Sequence, residues 1–139
     1  MLTIKLSHCR EVRDLIGDDW REAIENMRDG TPDFESGGYR FIHDDEIAGV
    51  LESELTSDEY VLGCFNANLI AECTGWPLVL IEAAQKGEAY EALGKVIIQE
   101  GHAAKMAELY ARYDGYGHHF ATYDGNEAEI GAYHVFRRD

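Results

Sequence analysis

Thr56-Ser57-Asp58-Glu59-Tyr60-Val61-Leu62-Gly63-Cys64-Phe65-Asn66-Ala67-Asn68-Leu69-Ile70-Ala71 reads as a helix start followed by the longest uncharged run of the chain, twelve residues from Tyr60 to Ala71. Thr56 and Glu59 stand at the spacing of a capping box, in which a hydroxyl and a carboxylate reciprocally satisfy free N–H groups of the first turn. The run that follows is apolar nearly all round, which predicts a helix central to the fold. At twelve residues it is too short to cross a bilayer, which takes about 20.

On its C-terminal side the pattern stays helical. Gly75 can close this helix, Trp76-Pro77 can open the next with Pro at the tolerated first turn, and Leu78 to Ala84 continues it until Gly87. Residues 88–99 and 102–113 follow as two further helices around Gly101. On the N-terminal side, Asp44-Asp45-Glu46 stands where acids suit the positive end of a helix running to Leu55. Before it, Tyr39-Arg40-Phe41-Ile42-His43 has the aromatic and β-branched content of a short strand, and residues 30–38 read as a connection. Trp20, Ala23, Ile24 and Met27 follow the i, i+3, i+4, i+7 rule of a core-facing helix that Gly30 ends, and Ser7 can cap an earlier stretch through Ile16. Thr3 to Leu6 is a short strand or an extended lead-in.

The tail differs. Aromatic and β-branched residues flank Asp124-Gly125-Asn126, which predicts a β-hairpin pairing residues 118–123 with 128–135. His119 and His134 would then share a face with Tyr123, Ile130 and Phe136. With the strand at 39–43 added, the expectation is an α+β fold: one globular domain over 1–139, predominantly helical with about five to six helices, and a small antiparallel sheet including the C-terminal hairpin. A chain of 139 residues with 45% hydrophobic composition can build a core without metals or disulfides.

Charge is the salient feature. The 27 acids against 12 Lys and Arg leave −15, which disfavours direct contact with nucleic acid or an anionic membrane. From residue 41 to 85 there is no Lys or Arg, while Asp44, Asp45, Glu46, Glu52, Glu54, Asp58, Glu59, Glu72 and Glu82 give that segment −9. Asp44, Asp45, Glu46, Glu52, Glu54, Asp58 and Glu59 are the candidate partner-binding residues, an acidic face able to imitate spaced phosphates and occupy the basic groove of a nucleic-acid-binding protein. Solubility and helix capping are the plainer reading of the same acids.

No catalytic, cofactor or metal residue is assigned. Among His118, His119 and His134, the pair His119 and His134 falls at diagonal positions on the proposed hairpin but lacks a third ligand, and no H-E-x-x-H, C-x-x-C or calcium-loop pattern occurs. His8 and Cys9 are neighbours on a helix and point about 100° apart, so they are not preassembled as nucleophile and base. Cys64 and Cys73 are expected to be buried and inert, and Cys9 exposed. Three cysteines without a paired motif, and an opening Met1–His8 without the apolar stretch of a secretion signal, suggest the reducing cytoplasm.

Glu59-Tyr60-Val61-Leu62-Gly63-Cys64-Phe65-Asn66-Ala67, together with Asp114-Gly115-Tyr116-Gly117-His118-His119-Phe120, Tyr123-Asp124-Gly125-Asn126-Glu127 and Tyr133-His134-Val135-Phe136, resembles small accessory proteins of bacteriophages and prophages. Among small acidic phage proteins a recurrent class, the antirestriction and anti-CRISPR proteins, inhibits host defence, several by DNA mimicry. The resemblance implies that setting, in the host cytoplasm, and transfers no site residue. A small metal-dependent or cysteine-based enzyme, and a module that self-associates through its apolar helices, are the alternatives.

Overall fold

Two strands about ninety residues apart, Tyr39–His43 (β2) and Tyr133–Arg137 (β4), pair antiparallel in the register Phe41↔Val135 and His43↔Tyr133. In the computed structural model, which describes residues 2–139, they form the middle of a four-stranded antiparallel sheet ordered β1-β2-β4-β3, with β1 at Asp33–Ser36 and β3 at Glu127–Ile130. The fold is α+β. The chain divides into two compact units, Met1–Ile47 with Asp114–Asp139, and Ala48–Tyr113.

The first unit contains the sheet. Helices α1 (Leu6–Ile16) and α2 (Trp20–Asp29), joined by a 3-10 turn at Gly17–Asp19, supply Val12, Ala23, Ile24 and Met27 to a core shared with Phe41, Ile130, Tyr133 and Val135. The expected stripe on α2 is therefore the packed face, and Gly30 ends that helix in the left-handed conformation. Residues 2–5 are an extended lead-in without a strand, and α1 starts at Leu6, one residue before the Ser7 expected to cap it. On the opposite face of the sheet, Phe136 and Phe120 lie with ring centroids 5.1 Å apart. With both faces covered, four of the five residues of β4 are buried.

Two hairpins depart from the expected chain path. The connection at 30–38 contains β1, joined to β2 by Gly37-Gly38, whose φ values of 60° and 80° suit a two-residue turn with both central residues left-handed. At the C-terminus the hairpin exists, but it pairs Glu127–Ile130 with Tyr133–Arg137 around Gly131-Ala132. Residues 116–120 form a short helix, and Asp124-Gly125-Asn126 is a loop turn in which the Asp124 carboxylate accepts from Asn126 N–H at 2.9 Å. His119 and Tyr123 consequently lie outside the sheet, and Ile130 pairs with Tyr133 and faces the α1–α2 core, so it does not share a face with His134 and Phe136.

The second unit is helical: α3 (Ile47–Leu55, opening on the last residue of the first unit), α4 (Glu59–Gly63), α5 (Ala67–Thr74), α6 (Leu78–Lys86), α7 (Tyr90–Gln99) and α8 (Ala103–Asp114, ending on the first residue of the return to the first unit); the short helix Tyr116–Phe120, α9, belongs to the first unit. The described residues form more α-helices than the five or six expected: α9 replaces an expected strand, and the run from Tyr60 to Ala71 is not one helix. It breaks at residues 64–66, where Asn66 caps α5 by accepting from Asn68 N–H at 2.8 Å. The Gln85 side-chain amide of α6 donates to the carbonyls of Gly63 (3.0 Å) and Phe65 (2.7 Å) that the break exposes. Helix α4 is capped by Asp58, which accepts from the Tyr60 and Val61 N–H groups, whereas the Thr56 hydroxyl donates back to the Glu52 carbonyl. Tyr60 and Val61 are exposed, so the run is central only through residues such as Leu62 and Ile70.

Helices α4 and α7 cross through two glycines. A Cβ built on Gly63 would lie 1.9 Å from the Tyr90 carbonyl oxygen, and one on Gly94 would lie 1.8 Å from that of Glu59. Either Ala substitution must push backbone away from backbone. Gly63→Ala and Gly94→Ala are each expected to destabilise the protein by about 1–3 kcal/mol in urea unfolding. Gly49→Ala, inside α3 with no atom within 4 Å of the added methyl group, should be neutral or stabilising by about 0.5–1 kcal/mol.

Candidate functional site

The seven candidate acids fall in different local settings. Asp44, Asp45 and Glu46 form a turn after β2 instead of the first turn of a helix, because the strand ladder continues past His43: Asp44 N–H donates to the Ala132 carbonyl at 2.8 Å. The Asp45 N–H donates to His43 Nδ1 at 3.0 Å, and Glu46 N–H to the His43 carbonyl at 2.9 Å. Glu52 and Glu54 lie on α3. Asp58 is the cap of α4, and Glu59, its first residue, has Lys95 Nζ 3.9 Å away. Asp44, Asp45 and Glu46 thus belong to the first unit and the other four to the second.

Asp44 leads to a constellation that spacing did not show. Its position in the ladder makes it the diagonal neighbour of His134 on one face of the sheet, and His134 Nε2 donates to its Oδ1 at 2.7 Å. Glu129 lies directly across β3 from His134, and Glu127 lies diagonally. His134 Nδ1 is hydrogen-bonded to the Glu127 carboxylate and has Glu129 Oε1 3.8 Å away. The ring is only 10% exposed as a side chain and is bordered by Tyr116 of α9, edge-on at 5.7 Å, and by Phe136. Burial pulls the imidazole pKa down, but the hydrogen bonds and charges of the Asp44 and Glu127 carboxylates outweigh it and hold His134 above its ordinary value of 6.5. Burial, together with the charges of Glu127 and Asp44, also raises the Tyr116 hydroxyl.

Comparison with protein-family models, curated proteins and solved structures finds no match for this chain.

The shared strand face expected of His119 and His134 does not form: His119 lies on α9 with its ring edge against Phe120 at 4.8 Å. The partners of His134 are carboxylates, and the signal for them was present in Glu127-x-Glu129. Residues i and i+2 share a strand face, and the Ile130-Gly131-Ala132-Tyr133 turn sets one of them opposite His134. One ligand atom from each of Glu127, Glu129 and His134 lies within 4.8 Å of the others, so these side chains could hold a metal ion.

The thiols are placed differently from expectation. Cys64 is exposed because it lies in the break between α4 and α5, and Cys9 and Cys73 are half-buried. Burial pushes the Cys73 thiol up, and its Sγ donates to the His102 carbonyl at 3.5 Å. His8 Nδ1 accepts from the Lys5 N–H at the start of α1, a capping role separate from Cys9. In the second unit, Trp76, Leu80, Ile81, Ala84, Leu93 and Val96 line an apolar groove of about 290 Å³. Among the described residues no helix is long and apolar enough to cross a membrane.

The sign of the pH effect follows from the raised His134 pKa. The charged bridge is fully present below the unfolded value of 6.5 and is lost as pH rises through the higher folded value. Urea midpoints in metal-free buffer should fall from pH 6 toward pH 9. His134→Gln should cost about 1.5–3 kcal/mol at pH 6 and remove most of that slope; a slope unchanged in the variant assigns it to another group.

Proposed function

We propose that this protein is a phage-derived inhibitor of a host defence protein, acting in the host cytoplasm as an acidic mimic of DNA, and that it is a binding protein and not an enzyme. The observation that carries the reading is the stretch from residue 41 to 85, with nine acids and no Lys or Arg. The resemblance to small acidic phage proteins points the same way. Carboxylates on a folded surface can replace phosphates in a basic groove, where they accelerate association and make it sensitive to salt.

The local geometry supports this use of the acids. Asp44 keeps its side chain 69% exposed while bonded to His134, and that of Asp45 is 84% exposed. Asp45, Glu46 and Glu52 can be reversed without touching the Asp58 cap or the Asp44–His134 bond. The partner implied is a basic, nucleic-acid-handling host protein; nucleic acid itself and membranes are not partners.

The test is capture of host proteins on the immobilised chain at low and at high salt, with duplex DNA as competitor. A captured nucleic-acid-binding protein should be released by DNA and by salt, and should be lost from the Asp45→Lys, Glu46→Lys, Glu52→Lys triple variant. Capture indifferent to salt, DNA and the three reversals overturns the proposal.

A further inference from the structure

We propose that the paired strands β3 and β4 carry a binding site for one divalent transition-metal ion, with His134 Nδ1 and the carboxylates of Glu127 and Glu129 as ligands and Asp44 as the positioning residue behind the ring. This goes beyond the acidic-mimic reading and is independent of it.

The donors lie on one face of a hydrogen-bonded ladder, which fixes their backbones more tightly than a loop would. An ion bound at 2.0–2.2 Å needs its donors within about 4 Å of one another, and these lie within 4.8 Å. The gap can be closed by Glu129, whose side chain is 72% exposed and free to change rotamer, whereas Glu127 is 29% exposed and His134 is held between its neighbours.

The two ring nitrogens are inequivalent in the way that metal-binding histidines require. Nε2–H is donated to Asp44 at 2.7 Å, so an ion that displaces the Nδ1 proton from its bond with Glu127 meets a lone pair directed at the two glutamates. A carboxylate on the far nitrogen is the standard means by which a ligating histidine is oriented and made more basic. Glu129 separates the metal site from a purely structural bridge. At 3.8 Å from Nδ1 it makes no hydrogen bond to the ring, and holding His134 does not require it; supplying a third ligand does.

One imidazole nitrogen and two carboxylate oxygens, without a thiolate, suit Zn²⁺ or Mn²⁺ better than Mg²⁺ or Ca²⁺, which take oxygen ligands. Three protein ligands leave room for water on the ion. A cleft of about 440 Å³ bordered by Asp44, Glu129, Ala132 and His134 lies beside the site.

Chelator-treated protein titrated calorimetrically with ZnCl₂, and in parallel with MnCl₂, tests the site. One ion per chain is expected. Glu129→Gln, at an exposed position where the fold is retained by circular dichroism, should weaken binding at least about tenfold. Asp44→Asn, which keeps all three ligands, should weaken it about 10–100-fold. Absence of binding overturns the proposal. So does binding that Glu129→Gln leaves unchanged, which would place the ion on the thiols or on His118 and His119.

Discussion

Covering strand Tyr133–Arg137 on both faces imposes the condition around which the first unit is built. Tyr133 and Val135 enter the core with α1 and α2, so the alternate residues His134 and Phe136 must face the other way, where Phe120 and Tyr116 limit access to water. An imidazole removed from water needs partners for both nitrogens, and Asp44 and Glu127 supply them. The bridge thereby ties the turn after β2 and strand β3 to the same ring. It also explains why the acids at 44–46 form a turn: one of them is engaged by the sheet before a helix can begin.

The second unit solves a different problem. Its helices are short, and a short helix offers few side chains with which to grip a neighbour. Gly63 and Gly94 let α4 and α7 approach until backbone meets backbone, trading side-chain contact for closeness. Gln85 then satisfies the carbonyls exposed where α4 stops. The net charge of −15 adds repulsion that these packing contacts must outweigh.

Features set within one or two turns of chain were legible in the sequence. Ala23, Ile24 and Met27 face the core as their periodicity implies, and Gly30 and Gly75 end helices in the left-handed conformation. What escaped depends on distant residues. Asp33-Phe34-Glu35-Ser36 has one large apolar residue and becomes a strand because β2 is there to pair with it. The break at 64–66 relies on Gln85, some twenty residues later. The tail contains two turn signals, Asp124-Gly125-Asn126 and Gly131-Ala132, and both form turns. Only the second joins strands: the segment before the first is helix Tyr116–Phe120, whose Gly117 packs closely on Gly125, 2.5 Å from a built Cβ to the Gly125 oxygen. For the site, Asp44 was recognised as an acid, but its histidine lies ninety positions away.

The order of assembly is constrained by the way the first unit is divided along the chain. Strands β1 and β2 are complete by residue 43, but the central partner of β2 begins at Tyr133, beyond the whole of Ala48–Tyr113. Closing so long a loop adds little to the equilibrium cost, since that cost grows only with the logarithm of length. Its effect is on timing. Until the segment 127–137 has been synthesised, β2 lacks its central partner and presents an unpaired edge, a template for association with other chains. The helical unit has no such division, since Ala48–Tyr113 is one continuous stretch of chain.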